Sequence, residues 1–373
     1  MGKKGSIFLT ALFCLFLFGF GAALLLLPDR AFSQQENRYL AQWEAPTADS
    51  LVSGAFMRSF EDYVIDQFPL RDGWIHLKAW SERLLGKQEN NGVYFGSDGQ
   101  TLFAQYTPPD DLEQRVSYVN RLGENVDVPV YFALIPDKSY VWAERLPDNA
   151  PLVDDGSTLQ STQALCGEEV TWIDLSQALS GDDVFYRTDH HWTTLGAHQG
   201  YQALAAAMGA VQPQPDGQPT LVADDFYGTT WSSAGAAWVE PDEMYTWVPE
   251  GGLTGRTTVT SYPDGQPVEG AFYDLSKLEL KDKYSMFLGG NQGLCVIENP
   301  DAQDGRLLVI RDSYADCLAP FLSMSYQQVH LFDLRYNRTS LRQYIQEQGI
   351  DQVLVLYSCS NFATDSNLAL LGY

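Results

Sequence analysis

The feature that most constrains this chain is a series of short, almost continuously apolar segments alternating with helix-length stretches. Val130-Tyr131-Phe132-Ala133-Leu134-Ile135 has the length of a strand and is closed by Pro136. Residues 170–175, 307–310, 329–332 and 353–356 repeat the pattern, and helical stretches lie at 112–126, 194–208, 314–323 and 341–348. Strands that are apolar throughout need cover on both faces, so the alternation predicts an α/β fold built on a parallel sheet flanked by helices. Residues 93–95 and 101–103 flank Ser97-Asp98-Gly99 and read as a β-hairpin. Residues 56–85 read as two helices interrupted at Phe68-Pro69-Leu70-Arg71, because proline disfavours helix in the residue before it. Residues 211–285 break the alternation with many Gly, Pro and Asp and with Trp231, Trp238 and Trp247. They are expected to form a loop-rich insertion carrying hairpins, either a self-packed decoration or a wall facing substrate.

Ahead of all this, Lys3 and Lys4 precede an uncharged, mostly apolar run over residues 7–27. At about 1.5 Å per residue it spans roughly 30 Å, the hydrocarbon thickness of a bilayer. The flanking charge predicts a single-pass anchor with the bulk of the chain outside the cell membrane. The competing reading is a secretory signal cleaved near Ala31-Phe32-Ser33, which would make the protein secreted. The organisation expected is therefore a membrane segment over 1–30, a polar spacer and helical segment over 31–90, and the α/β domain over 91–373 with its insertion at 211–285. Export leaves Cys166, Cys295, Cys317 and Cys359 outside, where buried free thiols are the default and one disulfide is the alternative. Acidic residues outnumber basic ones 48 to 23, a net charge of −25 that argues against nucleic acid as a partner.

Two segments carry chemistry. The chain has five histidines, and two of them sit in Thr188-Asp189-His190-His191-Trp192-Thr193. Histidine is the usual general base near neutral pH. In an extended or tight-loop segment Asp189 and His191 point the same way, so the carboxylate can orient the imidazole. Trp192 is expected to wall the pair, and Thr193 to cap the helix that follows. A metal site is a weaker reading, since no H-x-H, H-E-x-x-H or second acid-rich cluster accompanies the pair. A buried polar loop is the bland one. The second segment is Arg311-Asp312-Ser313-Tyr314 after the apolar strand at 307–310. A serine there sits at the carboxyl edge of the sheet and opens a helix whose N–H groups face a developing oxyanion. The bland alternative is an ordinary N-cap.

Asp189-His190-His191-Trp192, together with the late Asp312-Ser313-Tyr314, resembles the DHHW family, which is similar to the alginate O-acetylation proteins AlgJ and AlgX. Phe68-Pro69-Leu70-Arg71 and Ile135-Pro136-Asp137-Lys138 also look like features of that family. The resemblance implies an SGNH-hydrolase-like fold over roughly residues 55–373, with Ser313 as nucleophile, His191 as base and Asp189 as its orienter. His190 falls on the family's variable position. Oxyanion or substrate candidates are the Ser313 N–H, Gly290, Asn291, Arg335 and Tyr336, with a surface ion pair and a packed ring as the alternative for Arg335-Tyr336. No metal or cofactor is implied. The function implied is acetyl transfer to an exported or cell-surface polysaccharide, with a membrane-bound O-acyltransferase supplying the acyl group. An esterase or deacetylase with the same three residues is one alternative. A non-catalytic carbohydrate-binding scaffold is another.

Overall fold

Eight strands form the central sheet: β1 (Val130–Ile135), β2 (Val170–Asp174), β3 (Thr258–Ser261), β4 (Val268–Gly270), β5 (Leu294–Glu298), β6 (Asp304–Arg311), β7 (Tyr326–Phe332) and β8 (Gln352–Ser358). Their order is β4-β3-β5-β7-β6-β8-β1-β2. The five strands from β7 to β2 are parallel, and they include every apolar segment read as a core strand. This is a computed structural model, and it describes residues 3–109, 111–151 and 154–372.

Side chains alternate across the sheet, so each central strand feeds two cores. Ile135, Leu307, Val309 and Leu356 join helices α2 (Thr194–Ala207) and α3 (Tyr314–Ser325) on one face. Leu134, Leu308, Ile310 and Val355 pack on the other with α1 (Leu112–Asn125) and α4 (Leu341–Gln348). Every residue of α3 is buried, which places the helix opened by Ser313 at the centre of the fold.

The insertion does contain hairpins, but it is not set apart from the sheet. Thr220–Phe226 pairs with Asp242–Thr246, whereas β3 and β4 continue the main sheet through antiparallel pairing of β3 with β5. The strand that makes this join, β5, was not read from the sequence. Its Leu294-Cys295-Val296-Ile297-Glu298 lies only six residues before β6, too close to stand out as a separate apolar run.

Contacts group the chain into two compact units, Met1–Asn90 with Ser232–Ala237, and Asn91–Trp231 with Trp238–Tyr373. In the first, one helix over Lys3–Leu26 is long and apolar enough to cross a membrane. Two further helices, Ala55–Asp66 and Arg71–Leu84, meet at the expected proline break, where Leu70 takes a left-handed φ of 61°. The Arg71 guanidinium holds the turn by pairing with Glu36 at 2.8 Å.

Candidate active site

Three parallel strands that are neighbours in the sheet end on the site. β6 runs into Arg311-Asp312-Ser313, β8 ends at Ser358, and β1 runs into Pro136-Asp137-Lys138. The carboxyl ends of adjacent parallel strands are where α/β sheets place their chemistry.

The turn after β6 is fixed by Asp312. Its Oδ1 accepts from the Tyr314 N–H at 3.0 Å, and its Oδ2 accepts from Ser358 N–H, Ser358 Oγ and Asn361 Nδ2 at 2.8–2.9 Å. Asp312 thus satisfies an N-terminal donor of α3, and the Ser313 side chain makes no capping bond. The ordinary N-cap reading of Ser313 is therefore not what the geometry shows. Its Oγ lies 2.7 Å from His191 Nε2.

Residues 185–193 form a tight hairpin. Phe185 bridges Trp192, Tyr186 N–H donates to His191 O, and Thr193 N–H donates to Val184 O. Thr193 then caps α2, accepting from Gly196 N–H at 3.2 Å, as its position suggested. Lys138 braces the hairpin tip from below: its buried Nζ donates to the carbonyls of Tyr186, Arg187 and Asp189 at 2.6–3.0 Å. Burial pushes this ammonium down to about 8, and the nearby Asp242 and Asp189 carboxylates oppose the shift.

Asp189 Oδ1 lies 2.6 Å from His191 Nδ1 and accepts the His191 N–H at 3.1 Å. Its Oδ2 accepts from the Thr229 N–H at 2.7 Å and from Thr229 Oγ1 at 2.9 Å. An ionised carboxylate can only accept, so the Nδ1 of His191 carries the proton and its Nε2 is left to accept from Ser313 Oγ–H. Burial alone would raise the Asp189 carboxyl. The two histidines beside it and the bonds from His191 outweigh burial and hold it well below the usual carboxylate range. Asp189, His191 and Ser313 are 1%, 6% and 9% exposed, so the whole hydrogen-bonded row is buried, the serine least.

His190 stands beside this row rather than in it, with its Nδ1 3.5 Å from Asp189 Oδ1 and its ring centroid 3.9 Å from that of His191. Its Nδ1 lies 3.0 Å from Thr229 Oγ1, and burial, reinforced by His191, pushes its imidazole down to about 4. Ligand atoms of Asp189, His190 and His191 cluster within 4.8 Å. Both His191 nitrogens and both Asp189 oxygens are already bonded within the site, so the donor set does not fit an open metal site.

Trp192 does not wall the pair. It is fully buried beneath the hairpin, donating from Nε1 to Tyr314 O at 2.9 Å, and Gly200 leaves the room its ring needs: a Cβ there would lie 2.8 Å from Cζ3. The ring that lies flat on His191 is Tyr284, with centroids 3.7 Å apart and planes 8° apart. The Tyr284 hydroxyl donates to Ser313 O at 3.2 Å. Tyr284, Thr229 and the role of Lys138 were missed from sequence. Only Lys138 left a signal there, as part of Ile135-Pro136-Asp137-Lys138.

Among the described residues, none of the remaining candidates bonds Ser313. The Gly290 N–H donates to Phe287 O at 3.1 Å and is not free for an oxyanion. Asn291 Oδ1 accepts from Arg335 Nη2 at 3.2 Å, with Arg311 Nη1 at 3.4 Å. Arg335 is held by Asp333 at 2.7 Å, and Tyr336 is 60% exposed. Arg311 is wholly buried, with Nη2 2.9 Å from Asp316 Oδ1 but out of hydrogen-bonding alignment. Burial pushes Asp316 up to about 7, with Arg311 opposing the shift and Asp333 adding to it. All five cysteines are free thiols.

Known proteins share this arrangement of elements. A family described as "SGNH hydrolase-like domain, acetyltransferase AlgX" matches residues 106–234, a stretch that contains Asp189 and His191 but not Ser313. The chain is 24% identical over 196 residues to the probable alginate O-acetylase AlgJ of Pseudomonas syringae pv. tomato, covering 49% of this chain and 50% of that protein. It thus spans about half the length of the curated relatives it matches. Among solved structures, a DHHW family protein from Eubacterium siraeum superposes with a TM-score of 0.65 at 20% identity, covering 76% of this chain and 95% of that one. Bacillus cereus PatB1, solved with a sulfonyl adduct, gives 0.61 at 23% identity, covering 73% and 95%. The fold is SGNH-hydrolase-like, and the chain is similar to the DHHW, AlgJ and AlgX proteins.

Proposed function

We propose that this protein is a membrane-anchored, outward-facing O-acetyltransferase that esterifies hydroxyls of a polysaccharide through Ser313, His191 and Asp189. The observation that carries the reading is the unbroken row of hydrogen bonds from Ser313 Oγ through His191 to Asp189. The similarity to probable alginate O-acetylases supports acetyl transfer as the kind of reaction.

Ser313 Oγ attacks the acetyl carbonyl of the donor and passes its proton to His191 Nε2. The imidazolium, stabilised by the Asp189 carboxylate, returns that proton to the departing donor group, leaving acetyl-Ser313. A sugar hydroxyl then gives its proton to His191 Nε2 and attacks the acyl carbon; the new ester forms as the bond to Ser313 Oγ breaks, and the imidazolium returns the proton to that oxygen. In the first turn of α3 the N–H of Tyr314 is taken by Asp312 Oδ1, that of Ala315 by Asp312 O and that of Asp316 by Ser313 O. The Ser313 N–H is accordingly the donor assigned to the oxyanion. A membrane-bound O-acyltransferase is the donor partner this scheme calls for, and the Lys3–Leu26 helix supports an anchor that would keep the domain beside it.

Water in place of the sugar would give an esterase with the same residues, so the test measures both products. The full-length protein is incubated with a chromogenic acetyl ester and an oligosaccharide acceptor. Acetylated oligosaccharide that disappears in Ser313→Ala supports the transferase. Acetate alone, with acceptor unmodified, would replace it with the esterase. Equal ester turnover by Ser313→Ala and wild type would refute both.

A further inference from the structure

An open groove of about 1370 Å³ lies between the β3–β4 hairpin on one side and Leu288, Asn291 and Tyr336 on the other. Sites for small ligands run to roughly 300–1,000 Å³, so this one has room for a chain of sugars. One of its walls, residues 261–275, belongs to the insertion. Asp189, His191 and Ser313 are not among the groove's described lining residues, and its link to the strand end that carries Ser313 is Asn291. This residue lines the groove and bonds Arg335 and Arg311, and Arg311 leads directly into Asp312-Ser313.

The lining has a definite chemical character. Tyr262, Tyr273 and Tyr336 supply aromatic surface, and Asn291, Gln292 and Asn337 supply amides. Gln292 donates from Nε2 to Leu288 O at 3.2 Å, while its buried Oε1 has no partner among the described residues. Tyrosine faces beside amide side chains suit a ligand rich in hydroxyls with apolar ring faces, which is what a pyranose chain offers. The charged residues described in the lining are Glu269 and Asp274, and none of the described lining residues is Lys, Arg or His. Arg335, which borders the groove, is already neutralised by Asp333. Lys277 lies 4.0 Å from Asp274 and offsets that carboxylate, so the repulsion met by a polymer with a carboxylate on each sugar comes from Glu269 and from a chain of net charge −25.

We propose that this groove is the acceptor site and that it takes an uncharged hexose polymer, excluding polyuronates such as alginate. The proposal deepens the acetyltransferase reading and rests on it. Uncharged gluco-, manno- and galacto-hexasaccharides and a hexauronate are titrated calorimetrically, at low ionic strength, into full-length Ser313→Ala protein in detergent. At least one uncharged hexasaccharide should bind at least tenfold more tightly than the hexauronate. Tyr336→Ala and Tyr262→Ala should each weaken that binding several-fold. The Glu269→Gln/Asp274→Asn pair should raise hexauronate affinity, with the gain vanishing in high salt. Preferential hexauronate binding, or no binding by any uncharged hexasaccharide, would overturn the proposal. So would uncharged binding indifferent to both tyrosines. Wild-type turnover of a small acetyl ester, measured in parallel, reports on the catalytic row alone, so failure of the groove and failure of the chemistry are read separately.

Discussion

Replacing Gly228 by alanine puts a methyl group where Asp189 already is. A Cβ at position 228 would lie 2.2 Å from Asp189 Cβ and 2.3 Å from Oδ2. Carbon atoms rest at about 3.5 Å or more, so one side must move by roughly 1.3 Å. Asp189 is held by His191 Nδ1 at 2.6 Å and by Thr229 N–H at 2.7 Å. A displacement of that size carries at least one of these past hydrogen-bonding range. The histidine then loses the partner that fixes its proton on Nδ1, and a shift of about 1 Å in a catalytic group costs on the order of 10²-fold in rate. Loss of the orienting carboxylate altogether costs up to about 10⁴-fold in triad enzymes. Gly228→Ala should therefore lower kcat on a chromogenic acetyl ester by roughly 10²–10⁴-fold. Overpacking should cost it about 1–3 kcal/mol of stability. Combined with Asp189→Asn it should be scarcely worse than Asp189→Asn alone, because both act on one interaction. A folded Gly228→Ala enzyme within twofold of wild type would refute the role given to Asp189.

Lys138→Met removes three charge-assisted bonds under the hairpin tip, and should lower stability by roughly 2–5 kcal/mol in urea titrations and lower kcat with it; unchanged values would show that the tip is held otherwise. The folded His190 imidazole is lowered to about 4 against an ordinary value near 6.5, so an unfolded chain takes up a proton in that window that the folded chain does not. Stability from this group is complete above about pH 6.5 and is lost as pH falls toward 4; His190→Gln should flatten that part of the pH–stability curve while keeping most activity. Protease added to intact cells should degrade the domain beyond residue 28, and a protected domain would contradict the outward orientation.

The parallel core was legible because each of its strands is a separate apolar run, and residues 130–135 even announce their end with Pro136. The antiparallel edge was not, since β3 (Thr258-Val259-Thr260-Ser261) and β4 (Val268-Glu269-Gly270) are short and mostly polar. They are strands because β5 offers them an open edge, a condition set by tertiary structure. At the site, Asp189 and His191 could be read as a pair because they are two residues apart. Ser313 lies 122 residues beyond His191, and its strand-to-helix context and the family likeness marked it. Tyr284 and Thr229 left no mark, because each reaches the site from within the irregular insertion. The placing of Trp192 went astray for a related reason: alternation says which side of a hairpin a ring leaves from, but not whether that side is the cleft or the core.

The central claim is that acetyl transfer passes through Ser313 with His191 as its base. Full-length protein is mixed with a chromogenic acetyl ester, quenched in acid within the first turnovers and digested for mass spectrometry. One acetyl group on the peptide containing Ser313, absent in Ser313→Ala and accumulating far more slowly in His191→Ala, is the predicted result. Acetate release by wild-type protein with that peptide unmodified, or undiminished release by Ser313→Ala, would contradict it.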